Sequence, residues 1–111
     1  MNNRRYDHAS VTGGGNLYVF GGQGGLDKLD SIESLNLIDK NCTAWQLIQA
    51  NKAFTARDNP LVCTINSRQI LICGGQVDSG FLSDMLIFEI KTGKARKIKD
   101  APFTFWSKYN N

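Results

Sequence analysis

Residues 21–25, Gly-Gly-Gln-Gly-Gly, follow the apolar run Leu17-Tyr18-Val19-Phe20 and are the first in the chain whose types could do chemistry. A phosphate cradle needs a strand, then glycines, then a helix whose N-terminal amides meet the anion. Here the residues beyond the glycines alternate like another strand. No Gly-Lys-Ser/Thr is present, and Asp27 stands where the G-x-G-x-x-G spacing needs its last glycine. The glycines read instead as positions of positive φ and close inner packing, where a Cβ is unwelcome.

The other reactive residue types are sparse. His8 is the single histidine, and no HExxH, CxxC or GxSxG accompanies it. Asp27 and Asp30 flank Lys28 and Leu29 without the alternating oxygens of a calcium loop. Cys42, Cys63 and Cys73 are odd in number, and the last two lie in apolar runs where cysteine acts as a small hydrophobe. This reads as a set of reduced thiols in a cytosolic or nuclear protein, and the expected location is cytoplasmic. No catalytic residue, metal ligand or cofactor site is expected, and the chain is read as non-enzymatic.

The 111 residues carry a formal charge of +3 and are 41% hydrophobic, enough for one globular core. Much of the positive excess falls in residues 91–100, Lys-Thr-Gly-Lys-Ala-Arg-Lys-Ile-Lys-Asp, which reads as a solvated outer strand rather than a nucleic-acid surface. No apolar run approaches the roughly 18 residues of a membrane span, and residues 1–11 lack the apolar core of a secretory signal. Neither nucleic acid nor a membrane is expected as a partner.

The elements that must position these residues emerge from an internal repeat. Residues 17–23, LYVFGGQ, return as 70–76, ILICGGQ, a step of 53 residues. Residues 29–36 match 82–89 at the same step, and Asp30-Ser31 fall on Ser83-Asp84. Ahead of them, Arg5-x-x-His8-x-x-Val11 corresponds to Arg57-x-x-Pro60-x-x-Cys63. Each copy reads as four short strands: about 8–12, 16–21, 31–37 and 43–48, then about 61–65, 69–74, 84–90 and 94–99. The second strand of each is continuously apolar and the third alternates. Residues 13–16, GGGN, and 66–68, NSR, supply the hairpin turns. No segment shows a helical period.

Glycine pairs ending an apolar strand, an aromatic on the third strand and a Trp on the fourth resemble the kelch repeat family. The pairs are Gly21-Gly22 and Gly74-Gly75; the aromatic position holds Leu35 and then Phe88, and the Trp position holds Trp45 and then Ala95. The resemblance implies an all-β fold: two four-stranded antiparallel blades of an incomplete kelch-type β-propeller. It divides the chain into blade 1 (1–50), blade 2 (51–100) and the start of a further, truncated repeat (101–111). Propellers close with 4–8 blades, and an isolated pair is marginal. The chain therefore reads as a fragment of a longer protein, with a truncated gene product or a ring of several copies as alternatives. Further blades, in the same chain or in other copies, are needed to close the disc.

The family's architecture implies that the loops 23–29 and 76–82 and the arginines before each first strand share one face. The expected partner-binding residues are Arg5, Arg57, Gln23, Asp27, Lys28, Gln76, Asp78 and Phe81. An arginine fork suits carboxylate or phosphate groups, so the expected partner is a protein or peptide, acidic if the forks face it. The competing reading makes both arginines structural, bonded to neighbouring-blade carbonyls. Phe54 and Phe81 are candidate exposed anchors, or else tucked between blades. The implied function is a protein-interaction scaffold. Alternatives are an oligomeric ring component, a fragment of a kelch-type ubiquitin ligase substrate adaptor, or part of a kelch-like oxidase.

Overall fold

The computed structural model describes residues 4–49 and 51–100; the truncated third repeat lies outside them. Among the described residues there is no helix, and so none long and apolar enough to cross a membrane. The first sheet is built from β1 (Ala9–Gly13), β2 (Asn16–Phe20), β5 (Ser31–Asn36) and β6 (Gln46–Gln49), in that spatial order. The second holds β7 (Leu61–Asn66), β8 (Gln69–Val77), β9 (Gly80–Glu89) and β10 (Lys94–Asp100), again in chain order. Every pairing is antiparallel. A two-stranded ribbon, β3 (Gln23–Gly24) and β4 (Asp27–Lys28), sits between β2 and β5.

The turns follow from local chemistry. Gly14 and Gly15, at φ 58° and 84°, join β1 to β2 through two residues of positive φ, a geometry whose twist suits a hairpin. In the second sheet Ser67-Arg68 joins β7 to β8 without positive φ, and Asn66 Oδ1 accepts from the Arg68 amide at 2.8 Å.

The sheets pack face to face. Tyr18, Phe20 and Ile32 on the first meet Ile70, Ile72, Leu86 and Phe88 on the second, all at most 2% exposed. Phe88 is the hub, with its ring centroid 5.6 Å from Tyr18 and 5.4 Å from Phe20, both edge-on. The innermost strands meet as well: Thr64 Oγ1 donates to the Thr12 carbonyl at 2.6 Å. Ala95, at the position where the first repeat has Trp45, is itself buried, and its amide donates to Asn51 Oδ1 at 2.7 Å.

One open choice is decided and two expectations change. Phe54 is 2% exposed and packs edge-on against Phe20 at 6.1 Å, so it is tucked between the sheets rather than offered as an anchor. Segments 23–29 and 76–82 are largely hairpins rather than loops. Gly25-Leu26 turns β3 into β4, and Asp78-Ser79 turns β8 into β9, whose Val77 and Gly80 still pair. A register shift between Cys73 and Gly75 lets β8 run through its glycine pair, giving a longer ribbon than its counterpart in the first sheet. The fourth strand of the first sheet begins only at Gln46, leaving Trp45 outside it.

Candidate functional site

The two arginines that recur in the sequence occupy equivalent places, and both point inward. Arg57 is fully buried and uses all five N–H donors. Nη1 donates to the Gly74 carbonyl at 3.0 Å and to Asp84 Oδ1 at 2.7 Å, and Nη2 to Asp84 Oδ2 at 2.9 Å. The Thr55 carbonyl and hydroxyl accept the rest, at 3.0 and 3.1 Å. The Phe54 ring lies 5.1 Å from the guanidinium carbon. In the first sheet, Arg5 donates to the carbonyls of Gly21 and Ser31 at 2.8 and 3.0 Å. It also reaches Ser31 Oγ at 2.9 Å and Glu33 Oε2 at 2.7 Å. The Arg5 and Glu33 side chains are both fully buried.

Each arginine thus ties the first glycine of its pair to the third strand of its own sheet, at its start in the first sheet and at its middle in the second. The expectation that these forks receive a partner's anion is corrected: this chain's own carboxylates and carbonyls fill them. The competing structural reading fits, with one amendment. The side chains bond carbonyls of their own sheet, and the link to the neighbouring sheet runs through the Arg57 backbone, whose amide donates to the Leu29 carbonyl at 3.1 Å and whose carbonyl accepts from the Gly22 amide at 2.7 Å.

This close approach explains the glycines. At Gly21, with φ 60°, a Cβ would run into the Arg57 carbonyl. At Gly75, with φ 113°, one would stand 2.8 Å from the Asp58 carbonyl. The first pair has no room for an anion, because the Gly21 and Gly22 amides donate to the Ser31 and Arg57 carbonyls and the space is already taken.

Around these clamps lies the face formed by the two ribbons. Lys28 Nζ reaches across from the first ribbon to Asp58 Oδ2 at 3.0 Å, lies 3.9 Å from Asp78 Oδ1, and donates to Gln23 Oε1 at 3.2 Å. Asp58 in turn exchanges backbone hydrogen bonds with Gln76, at 3.0 and 2.8 Å. Gln23, Lys28, Gln76 and Asp78 are therefore brought together, with Asp58 at their centre. The sequence offers no signal for Asp58, since the matching position of the first repeat is Tyr6. Its Oδ1 is buried and has no hydrogen-bond partner among the described residues. The Lys28 side chain is only 13% exposed, so this cation is spent on joining the ribbons.

What remains open to solvent is apolar and acidic, apart from Arg4, which is exposed beside Tyr6 and Gly25. Leu26, at the tip of the first ribbon, is 97% exposed, and Phe81 on the second ribbon is 39% exposed. Tyr6, paired with Gln23 at the ribbon base, is 56% exposed. Asp27 is exposed and the Asp78 side chain is 96% exposed. Leu26 escaped the sequence reading because its repeat counterpart is the polar Ser79, so no apolar pattern recurs there; its two-residue turn was the available signal. His8 is exposed on β1's approach and joins none of these groups.

Residues 4–43 match the family model described as the kelch motif, and no curated protein matches the chain. The match spans β1 to β5, and the second sheet repeats the same strand order. Two helix-free, four-stranded antiparallel sheets fit kelch blades of an incomplete propeller. Kelch repeats are in general protein–protein interaction motifs.

Proposed function

We propose that this chain is a non-enzymatic interaction module that captures a segment of a partner protein on the face formed by the two ribbons. The observation that carries this reading is Leu26, an apolar side chain held 97% in solvent at a ribbon tip, with Phe81 on the neighbouring ribbon. Exposed apolar side chains on a rigid scaffold are the residues that supply most binding energy once a partner covers them. Asp27 and Asp78 border them, while Gln23 and Gln76 offer amide groups beside the Lys28 bridge. The forks that favoured an acidic partner are filled. The open carboxylates favour a segment carrying lysine or arginine next to apolar residues.

The test compares capture by the wild type with capture by a Leu26→Asp/Phe81→Ala variant that keeps its circular-dichroism spectrum and melting temperature. Lys91→Ala, at the opposite end of the second sheet, serves as the control. A partner retained by the wild type and the control but lost by the double variant supports the reading. Equal capture by all three overturns it.

A further inference from the structure

Cations collect at the end of the second sheet away from the ribbons. Arg68 sits in the turn between β7 and β8, Lys91 in the turn between β9 and β10, and Lys94 and Arg96 on β10; all four are exposed. The Ile90 amide donates to the Arg68 carbonyl at 3.0 Å, so the two turns lie side by side although their residues are far apart along the chain. Residues 91–100 already stood out as basic in the sequence; Arg68 is the member that only the hairpin of β7 and β8 brings to them.

Glu89 is the carboxylate set among these cations, opposite Lys94 on one side and Gln69 on the other. It is engaged: it accepts from Gln69 Nε2 at 2.9 Å and lies 3.8 Å from Arg96 Nε. Arg68, Lys91 and Lys94 make no ion pair among the described residues. Four cations thus surround one carboxylate that is already bonded, and the excess positive charge faces solvent.

The charge lines a concave surface. Arg68, Gln69, Glu89, Lys91 and Thr92 border an open cleft of about 400 Å³. Lys91 and Thr92 also border a second cleft of about 330 Å³, whose other walls include Asn16, Gln46, Leu47 and Ile90. The two clefts share that rim and form one groove from the second sheet to the first. Its half on the second sheet is cationic. Its half on the first is neutral and partly apolar, with Leu47 48% exposed.

We infer that this groove binds an acidic segment of a partner protein, with carboxylates on Arg68 and Lys91 and an apolar side chain beside Leu47. The planar fork of Arg68 suits a carboxylate through two parallel hydrogen bonds, and Lys91 adds a point charge. Nucleic acid fits this groove less well. Single strands are held by bases stacked on exposed rings, and the ring that lines the groove, Tyr18, is 2% exposed. A phosphate backbone also needs cations along its whole track, and the walls beyond Lys91 supply none. The groove lies at the opposite end of the second sheet from the ribbon face, whose open carboxylates favour a cationic segment. The inference therefore does not rest on the partner proposed there.

Fluorescence anisotropy on the 111-residue chain tests it with three labelled probes: a peptide of repeating Glu-Glu-Leu, one of repeating Gln-Gln-Leu, and a uridine oligonucleotide. Saturable binding of the Glu-Glu-Leu peptide is expected, tighter than either other probe and weakening as salt rises. Arg68→Glu and Lys91→Glu are each expected to weaken it about tenfold or more, because each sets like charges against one another. Arg4→Glu makes the same charge change at the ribbon face and is expected to leave binding unchanged, as is Leu26→Asp/Phe81→Ala. Where a charge reversal alters the melting temperature, Arg68→Gln and Lys91→Gln take its place. The absence of saturable binding overturns the inference. So does an equal loss in Arg4→Glu, which makes the attraction one of net charge alone. Equal binding of the Gln-Gln-Leu peptide overturns the role of the cations, and tighter binding of the oligonucleotide assigns the groove to nucleic acid instead.

Discussion

Asp84 meets Arg57 with both carboxylate oxygens, at 2.7 and 2.9 Å, whereas at the matching position of the first sheet Ser31 contributes a hydroxyl and a carbonyl to Arg5. The missing charge comes from two residues further along, where Glu33 reaches Arg5 at 2.7 Å. The two sheets thus solve one electrostatic requirement with carboxylates at different positions. A buried guanidinium needs a counter-charge, and either placement supplies it.

Arg57→Ala leaves Asp84 without its partner and opens the contact with Phe54. The expected cost is about 3–5 kcal/mol in urea denaturation, the range for breaking a buried pair by removing one member. That is a large share of a small domain's stability. Arg57→Lys restores the charge without the planar fork and is expected to recover only part of the loss.

Transplanting the second sheet's arrangement into the first separates charge from position. Glu33→Leu alone is expected to destabilise strongly, because Arg5 loses its carboxylate. Adding Ser31→Asp, which recreates the Arg57–Asp84 geometry, is expected to recover most of that loss. The double-mutant coupling energy, measured in urea, is the readout; a value near zero shows that the two positions are not interchangeable.

Glycine positions divide into two kinds. Gly75→Ala places a Cβ 2.8 Å from the Asp58 carbonyl at a backbone φ of 113°, so both strain and collision act on it. Gly80 has φ 146° with nothing within 4 Å of a Cβ, so Gly80→Ala carries the backbone cost alone, about 1–3 kcal/mol. Thermal melts are expected to rank Gly75→Ala well below Gly80→Ala.

Burial raises the pKa of the Cys73 thiol above its ordinary value, with Cys63 and then Asp84 adding to the effect. In the folded protein the thiol stays neutral at pH values where unfolded thiols ionise. Its contribution to stability is therefore complete below the ordinary thiol pKa and is lost as pH rises through the higher folded value. At pH 8, iodoacetamide is expected to label exposed Cys63 and partly exposed Cys42 quickly, and buried Cys73 only at the rate of unfolding.

The strands were legible because the repeat and the period of two coincide. Leu17 to Phe20 and Ile70 to Cys73 announce themselves twice, each stopped by a glycine pair. The arginines were legible as a recurring position but not in their role, since a fork fits a partner's carboxylate as well as one from its own chain. Deciding between them required Asp84 and Glu33, which lie 27 and 28 residues away along the chain. The ribbons were missed for a local reason. The step of 53 sets the turn Asp78-Ser79 on the turn Gly25-Leu26, but each glycine pair reads as the end of its strand, so the pairing that resumes beyond it went unseen. Phe54 and Asp58 have no period to reveal them, because each is placed by the packing of one sheet on the other.

Arg57 sends its side chain into the second sheet and its backbone to Gly22 and Leu29 beside the first. In an array whose stability is a sum of unit and neighbour terms, such a residue belongs to both kinds of term at once. Loosening it weakens one unit and its coupling to the next together. The native chain is therefore expected to melt in a single step. A variant that keeps both sheets but cuts this tie melts in two, and the gap between the transitions measures how firmly the units hold one another.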